Sequence, residues 1–192
     1  MIELRFHGRG GQGTVIASKL LASAFYAEGK HVHSFAHYGA ERRGAPVEAF
    51  VRVDTRPIRL RSLIYEPDCV VVLDAYLVEI GNVTKGLKRG GWLLINTPEP
   101  PEAFSFEVDV KVATVDADSI ALAHGLGTRT APIVNTAIVG ALARCTALVG
   151  LKSVEAAVEE VVPESPEKNR AAVGEAYRLV RFQTSNVVEG RP

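Results

Sequence analysis

Hydrophobic and polar residues alternate with the period of two that is typical of β-strands in two parts of the chain, at residues 2–7 and 46–53. An uninterrupted apolar run at 70–73 is typical of a parallel strand covered on both faces, so we expect it at the centre of a sheet. Further strands are predicted over residues 31–35, 58–60, 92–96 and 108–115. We also expect an antiparallel hairpin over 46–61, with its turn at 54–57.

Apolar residues recur at helical spacing from residue 14 to residue 28, and Gly29 follows as a helix stop. Further helices are predicted over residues 77–87, 116–123, 136–149, 153–161 and 166–182. Strands that alternate with helices predict the α/β class, here a Rossmann-like, mostly parallel sheet with helices on both faces and an antiparallel hairpin insertion. We assign residues 1–182 to a single domain and expect a flexible C-terminal tail at 183–192.

The composition, with 47% hydrophobic and 23% charged residues, is that of a globular chain and excludes a disordered protein or a coiled coil. The 22 basic and 22 acidic residues cancel, which argues against nucleic acid as the main partner. Residues 1–65 nevertheless hold ten basic and five acidic side chains, which predicts a local anionic ligand or an acidic protein surface. No apolar run reaches the roughly 20 residues that cross a bilayer, so we expect no membrane contact and a cytoplasmic location.

Two cysteines, Cys69 and Cys145, stand in apolar sequence and are expected to be buried. Their number and spacing argue against a disulfide framework, a zinc site or an iron–sulfur cluster held by this chain alone, and we predict no metal site. The scarcity of thermolabile residue types weakly favours a thermophilic source.

A glycine loop at residues 8–13 lies between a predicted strand and a predicted helix, which is the position of a phosphate-binding turn. Glycines let the backbone approach an anion, while free N–H groups and the helix dipole attract negative charge. Two interpretations stay open: contact with a phosphate or pyrophosphate, and a tight turn that packs against a partner chain. The candidate binding residues of this segment are Gly8, Arg9, Gly10, Gly11, Gln12, Gly13 and Thr14.

The glycine loop lacks the features of two common nucleotide sites. NAD binding is disfavoured because the acidic residue expected after the second strand is missing from residues 34–38. A Walker loop is excluded because residues 17–19 read Ala-Ser-Lys and lack the Gly-Lys-Ser/Thr ending.

A second candidate segment follows the second predicted strand and is rich in charge. Paired guanidinium groups suit phosphate or carboxylate recognition, since their planar donors bind in a bidentate way. The alternative is a solvated loop with internal Glu–Arg pairing. The candidate binding residues here are Glu41, Arg42, Arg43 and Gly44.

Ligands of open α/β sheets bind beyond the carboxyl ends of the strands. That rule places the glycine loop, the segment after residue 35, Asp74 and Asn96 on one rim. For Asp74 we favour a helix-capping role. No catalytic residue is predicted.

Three motifs in this order resemble the gamma subunit of pyruvate/2-ketoisovalerate:ferredoxin oxidoreductase, in the 2-oxoacid:ferredoxin oxidoreductase family. They are RFHGRGGQG at 5–13, YGAERRGAPV at 38–47, and RPIRLRS at 56–62 with EPD at 66–68. The resemblance covers essentially residues 1–182. It implies an assembly with alpha, beta and delta chains that oxidatively decarboxylates a 2-oxoacid, forms an acyl-CoA and passes electrons to ferredoxin.

The same resemblance implies that thiamine diphosphate, magnesium, iron–sulfur clusters and coenzyme A belong to the assembly. This chain lacks cysteine clusters and the Gly-Asp-Gly…Asn pattern that holds thiamine diphosphate, so we expect these redox cofactors on the other chains. The basic first third would then bind the phosphates of coenzyme A or complete the wall of the thiamine pocket. The alternatives are a free-standing Rossmann-like nucleotide-binding module or dehydrogenase, and a purely structural subunit without a ligand.

Overall fold

The structure is a computed structural model that describes residues 1–38 and 45–182. Nine strands lie within these residues, and seven of them form the main sheet in the order β2-β3-β1-β4-β5-β6-β9. The strands are β1 (Ile2–Arg9), β2 (His31–Tyr38), β3 (Pro46–Asp54), β4 (Cys69–Val72), β5 (Trp92–Asn96), β6 (Lys111–Val115), β7 (Gly127–Thr128), β8 (Ala131–Pro132) and β9 (Arg181–Phe182). The short pair β7 and β8 forms a separate hairpin.

The main sheet is mixed but mostly parallel. Strands β1, β4, β5 and β6 pair in parallel, and β2 runs in the same direction, whereas β3 and β9 run against them. The apolar strand β4 is fourth of the seven and buried on both faces, which confirms the prediction of a central strand.

Helices lie on both faces of the sheet, as the α/β prediction requires, but the two layers are unequal. One face packs in the larger core against α1, α3, α4, α5 and α6, while the other is covered by α2 and by irregular chain around Val83 and Leu87. The helices are α1 (Thr14–Ala27), α2 (Tyr76–Ile80), α3 (Ala117–Ala123), α4 (Asn135–Thr146), α5 (Leu151–Val161) and α6 (Pro166–Leu179), with a 3₁₀ turn at Pro101–Ala103.

The antiparallel hairpin exists, but the prediction of its second strand was wrong. Strand β3 pairs with β2 on one edge and with β1 on the other, so no free edge remains for residues 58–60, which are irregular. The guanidinium of Arg52 further binds the carbonyl groups of Ser62 and Leu63. The hairpin is therefore β2–β3.

Three helices end earlier than predicted, and one of them is α4, which stops at Thr146 because Ala147 adopts a left-handed conformation. Helix α2 stops at Ile80 because Gly81 adopts an extended conformation, although Leu87 still packs in the smaller core. The last helix stops at Leu179, and Phe182 then pairs with β6 and contacts Trp92 edge-on. No helix among residues 1–38 and 45–182 is long and apolar enough to span a membrane.

Candidate functional site

A cleft of about 570 Å³ lies beyond the carboxyl ends of β1, β4 and β5. It brings the glycine loop together with Asp74 and Asn96, as expected from the topology of parallel sheets. Its volume falls within the roughly 300–1,000 Å³ of small-molecule sites. The residues that line it are Arg9, Gly10, Gly11, Gln12, Leu73, Asp74, Ala75, Asn96, Thr97, Pro98, Asp118, Thr130, Ala131, Pro132 and Val134.

The glycines of the loop have different physical roles. Gly11 has a φ of 100° and open space where a Cβ would stand, so its backbone is accessible to a ligand. Gly13 has a φ of 77°, and a Cβ there would lie 2.5 Å from the Asn135 amide nitrogen. A Cβ at Gly8 would collide with the Thr14 hydroxyl. Gly8 and Gly13 are therefore explained by close packing.

The beginning of α1 offers backbone donors to an anion. Three N–H groups are used within the protein: Arg9 N donates to Gln12 Oε1, Gly10 N to Ala45 O and Gln12 N to Arg9 O. Within the described residues, the N–H groups of Gly11, Gly13 and Thr14 have no acceptor. The first turn of α1 also has no side-chain cap and no acidic residue, which leaves its positive dipole end unopposed.

Arg9 is already engaged by a carboxylate. Its Nε lies 2.8 Å from Asp74 Oδ2, an ion pair by distance although the N–H is not directed along a hydrogen bond. Gln12 Nε2 donates to the same oxygen at 3.1 Å, and the Arg9 guanidinium lies over the Tyr76 ring. Asp74 Oδ1 accepts the Tyr76 N–H at the start of α2, in agreement with the favoured capping role. An anionic ligand at Arg9 therefore competes with the Asp74 carboxylate for the guanidinium group.

Unpaired buried polar atoms concentrate at the glycine loop. Five buried side-chain atoms in the part of the chain that the structure describes have no hydrogen bond, and three of them border the loop: Thr14 Oγ1, Asn135 Oδ1 and Arg9 Nε, the last of which is ion-paired with Asp74. Thr14 is 2% exposed and Asn135 3% exposed. Buried polar groups normally have a partner, so the loop retains hydrogen-bonding capacity for a ligand, a water molecule or a neighbouring chain.

An Asn96–Asp118 pair forms the floor of the cleft. Asn96 Nδ2 donates to Leu73 O at 3.0 Å and to Asp118 Oδ1 at 3.1 Å, while its Oδ1 accepts the Ala117 N–H. Partial burial, and then repulsion from Asp116 and Asp74, raise the pKa of Asp118 despite its bond to Asn96. Asp116, by contrast, accepts the Ser119 N–H and caps α3.

A second cavity, of about 430 Å³, lies next to Gly8 and is bordered by His7, Glu48 and Val83. Arg5 Nε donates to His7 Nε2, and its Nη2 donates to Val83 O and Lys85 O. Burial and the neighbouring Arg5 lower the pKa of His7 to about 3, so the imidazole is neutral at physiological pH. His7 therefore belongs to a hydrogen-bond network and not to an acid–base pair.

The predicted residues Glu41, Arg42, Arg43 and Gly44 lie outside the described residues. The chain that follows them is next to the glycine loop: Pro46 is opposite Arg9 in the β1–β3 ladder, and Ala45 O accepts the Gly10 N–H. These four residues stay sequence-based predictions.

Residues 3–179 match the sequence profile of the pyruvate ferredoxin/flavodoxin oxidoreductase family. The chain belongs to this family. It is 50% identical over 186 residues to the pyruvate/ketoisovalerate oxidoreductases common subunit gamma of Pyrococcus abyssi, a match that covers 95% of this chain and 98% of that protein. The Pyrococcus source of that relative fits the thermophilic character expected of this chain.

Two solved structures are similar to this chain. The pyruvate oxidoreductase subunit PORC from Thermotoga maritima superposes with a TM-score of 0.81 at 35% identity, covering 95% of this chain and 98% of that chain. The 2-oxoglutarate:ferredoxin oxidoreductase from Magnetococcus marinus, solved with 2-oxoglutarate, coenzyme A and succinyl-CoA, superposes with a TM-score of 0.70 at 18% identity. That match covers 92% of this chain and 30% of the larger chain, and it shows the fold alone.

These relatives confirm the interpretation of this family member as a gamma subunit of a 2-oxoacid:ferredoxin oxidoreductase, an enzyme subunit and not a free-standing dehydrogenase. An iron–sulfur cluster does not fit the residues present, because the whole chain has two cysteines and a cluster needs about four. Both are buried, and burial raises the pKa of Cys69 and, to about 12, that of Cys145. No cluster of three or more metal-ligating side chains occurs among residues 1–38 and 45–182.

Sequence reasoning missed Asp118 and the β7–β8 hairpin as parts of this site. The hairpin contributes Thr130, Ala131 and Pro132 to one wall of the cleft. The available signal was the turn-rich stretch at 125–132, which separates two predicted helices and contains two glycines and a proline.

Proposed function

We propose that this gamma subunit holds the phosphates of coenzyme A in the cleft of an enzyme that oxidatively decarboxylates a 2-oxoacid in the cytoplasm. The alpha, beta and delta chains would bind thiamine diphosphate, magnesium and the iron–sulfur clusters, and would pass electrons to ferredoxin. Pyruvate and 2-ketoisovalerate are the substrates named in the gamma-subunit relative, and coenzyme A is bound in the Magnetococcus marinus enzyme.

One observation carries the proposal: the glycine loop combines free backbone donors with an unpaired buried hydroxyl. The N–H groups of Gly11, Gly13 and Thr14 lack acceptors within the described residues, and the Thr14 hydroxyl, which can donate a hydrogen bond, lacks a partner there. A pyrophosphate is rich in acceptors and negatively charged, which suits the dipole at the start of α1. The residues present therefore fit coenzyme A.

The chain's own contribution is binding and orientation. Backbone donors of the loop would fix the pyrophosphate, and Arg42 and Arg43 would add charge-assisted hydrogen bonds. Asp74 keeps Arg9 and Gln12 in place at the cleft wall, so these side chains shape the loop whether or not a ligand is bound. Coenzyme A, when bound, supplies the thiol that receives the acyl group.

The test compares the assembled enzyme with an Arg42→Ala/Arg43→Ala variant. We expect the KM for coenzyme A to rise about 10- to 100-fold, because a hydrogen bond to a charged group is worth about 1.5–3 kcal/mol. The KM for the 2-oxoacid should stay within about twofold, since the proposed contact is with coenzyme A and not with the 2-oxoacid. Steady-state kinetics with each substrate varied in turn gives both constants.

A matched control is Arg89→Ala, which removes an exposed arginine paired with Asp109 at the amino-end side of β5, away from the cleft. Size-exclusion chromatography of each variant checks that the assembly is intact. Unchanged coenzyme A kinetics in an intact Arg42→Ala/Arg43→Ala assembly would remove the proposed role of these two residues.

A further inference from the structure

One corner of the sheet is covered by irregular chain and not by a helix. Val51 and Val53 of β3 pack in the larger core, so the alternate residues Phe50 and Arg52 point to the opposite face. The smaller core on that face gathers over β4, β5 and β6 and does not include Phe50. Residues 55–66, which we call the arginine segment, are instead hydrogen-bonded to the Arg52 guanidinium.

The arginine segment is held in place by side chains and not by its own backbone. Its carbonyl groups at residues 62 and 63 accept from the buried Arg52, and its Ile64 is 2% exposed. Within residues 1–38 and 45–182, the N–H groups of residues 58–66 have no acceptor. The segment therefore has a defined position and a row of backbone donors that are free to bind another molecule.

The exposed side chains of the arginine segment are of the types that are common in protein–protein interfaces. Leu60 is 49% exposed and Tyr65 is 71% exposed. Arg56, Arg59 and Arg61 are exposed as well, and none of them has an ion pair in the described part of the chain. Arginine and aromatic residues are enriched in interfaces and supply much of their binding energy.

A partly exposed aromatic stack borders the segment on β2, the edge strand of the sheet. The ring centroids of His33 and Phe35 are 4.9 Å apart, and those of Phe35 and Phe50 are 5.0 Å apart. Burial, and then the nearby Arg61 and Arg52, lower the pKa of His33, so its ring adds no charge at neutral pH. His33 Nδ1 is a buried atom without a hydrogen bond among the described residues, so this edge also has unused hydrogen-bonding capacity.

We propose that the arginine segment and the aromatic stack dock on an acidic surface of a companion chain of the oxidoreductase. Charge selects this occupant, because three arginines stand against Glu66 as the one carboxylate of the segment. Carboxylates opposite them would accept from the guanidinium groups and from the free backbone N–H groups. A symmetric pair of copies of this chain would bring the same arginines together, and their repulsion disfavours it. The inference rests on the companion chains of the proposed function and not on coenzyme A.

The test measures how tightly the assembled enzyme holds this chain when the charge of the segment is reversed. We expect Arg56→Glu/Arg59→Glu to raise the Kd for release of the chain at least about tenfold, because glutamates would then face carboxylates. Arg56→Gln/Arg59→Gln removes the attraction without adding repulsion and should have a smaller effect. The wild-type Kd should rise with salt concentration, since salt screens the attraction. Analytical ultracentrifugation of dilution series at low and high salt gives these constants.

A matched control makes the same change of charge on the other side of the domain. Arg144 and Arg178 are exposed, have no ion pair among the described residues, and lie on α4 and α6, which pack in the larger core. Arg144→Glu/Arg178→Glu should leave the Kd within about twofold of wild type. A photo-cross-linking amino acid at position 60 of the assembled enzyme should capture a companion-chain peptide that is rich in Asp and Glu.

Three outcomes would overturn the inference. One is a Kd for Arg56→Glu/Arg59→Glu within about twofold of wild type. Another is an equal loss in both glutamate variants, which would assign the effect to net charge and not to this surface. A third is cross-linking from position 60 to a second copy of this chain alone, or to no protein. If release is normal while Arg42→Ala/Arg43→Ala raises the KM for coenzyme A, the inference fails and the proposed function stands. If release is weakened while that KM is unchanged, the reverse holds.

Discussion

Replacing Arg52 by alanine is expected to lower the free energy of unfolding by about 3–5 kcal/mol, the cost of breaking a buried ion pair by removing one partner. Arg52 is 1% exposed, and its Nε lies 2.7 Å from Glu3 Oε1. Its Nη1 donates to Ser62 O, its Nη2 donates to Leu63 O, and the guanidinium lies 5.6 Å from the centre of the Phe35 ring. The substitution would strand a carboxylate and two carbonyl groups. Denaturant unfolding of the purified chain measures the change.

Two further variants separate the causes. Arg52→Met keeps most of the buried stem and should recover only the packing part of the loss, about 1 kcal/mol. Arg56→Ala removes an exposed arginine two residues beyond the end of β3 and should change stability by less than about 0.5 kcal/mol. If Arg52→Ala is as stable as Arg56→Ala, the irregular segment at 55–68 is not held by Arg52.

Replacing Gly13 by alanine is expected to cost about 2–4 kcal/mol of folding free energy, through backbone strain and overpacking together. The φ of 77° is a conformation that L-residues rarely adopt, and the new Cβ would press on Asn135. Gly11→Ala is the matched comparison, because φ is also positive there but nothing stands within 4 Å of the new Cβ. It should cost about 1 kcal/mol.

Denaturant unfolding gives the free energy of unfolding of each variant, and the difference between the two values measures how tightly Gly13 packs against α4. Equal losses of folding free energy would show that the effect comes from backbone strain alone, and that the Asn135 side chain moves aside at no energetic cost. In the assembled enzyme, Gly11→Ala should cost more free energy of coenzyme A binding than free energy of folding, because the new Cβ narrows the open face of the loop.

Local sequence signals predicted the parts of the fold that depend on neighbours in the chain. Strand β4 is predicted by its apolar run, and β1 and α1 are predicted by the order of strand, glycines and helix along the chain. The partner of β3 could not be predicted, because the choice between residues 31–38 and 58–60 depends on which sheet edges are occupied.

The same distinction applies to the site. The glycine loop has a motif. The rule that ligands bind beyond the carboxyl ends of the strands placed Asp74 and Asn96 beside it. Asp118 and Thr130 carry no motif: Asp118 reaches the cleft because α3 begins directly after β6, and Thr130 reaches it because the β7–β8 hairpin borders the cleft. The ion pair between Arg9 and Asp74 joins residues 65 positions apart, so the sequence indicated a free cation where the structure has a paired one.

Hydrogen–deuterium exchange of the assembled enzyme, with and without saturating coenzyme A, tests most directly whether this chain holds the ligand in the cleft. We predict that coenzyme A slows the exchange of peptides that cover residues 8–14 and 127–135. Exchange in α5, which packs against α1 on the side away from the cleft, should not change. Unaltered exchange of both segments, with protection confined to other chains, would contradict the account.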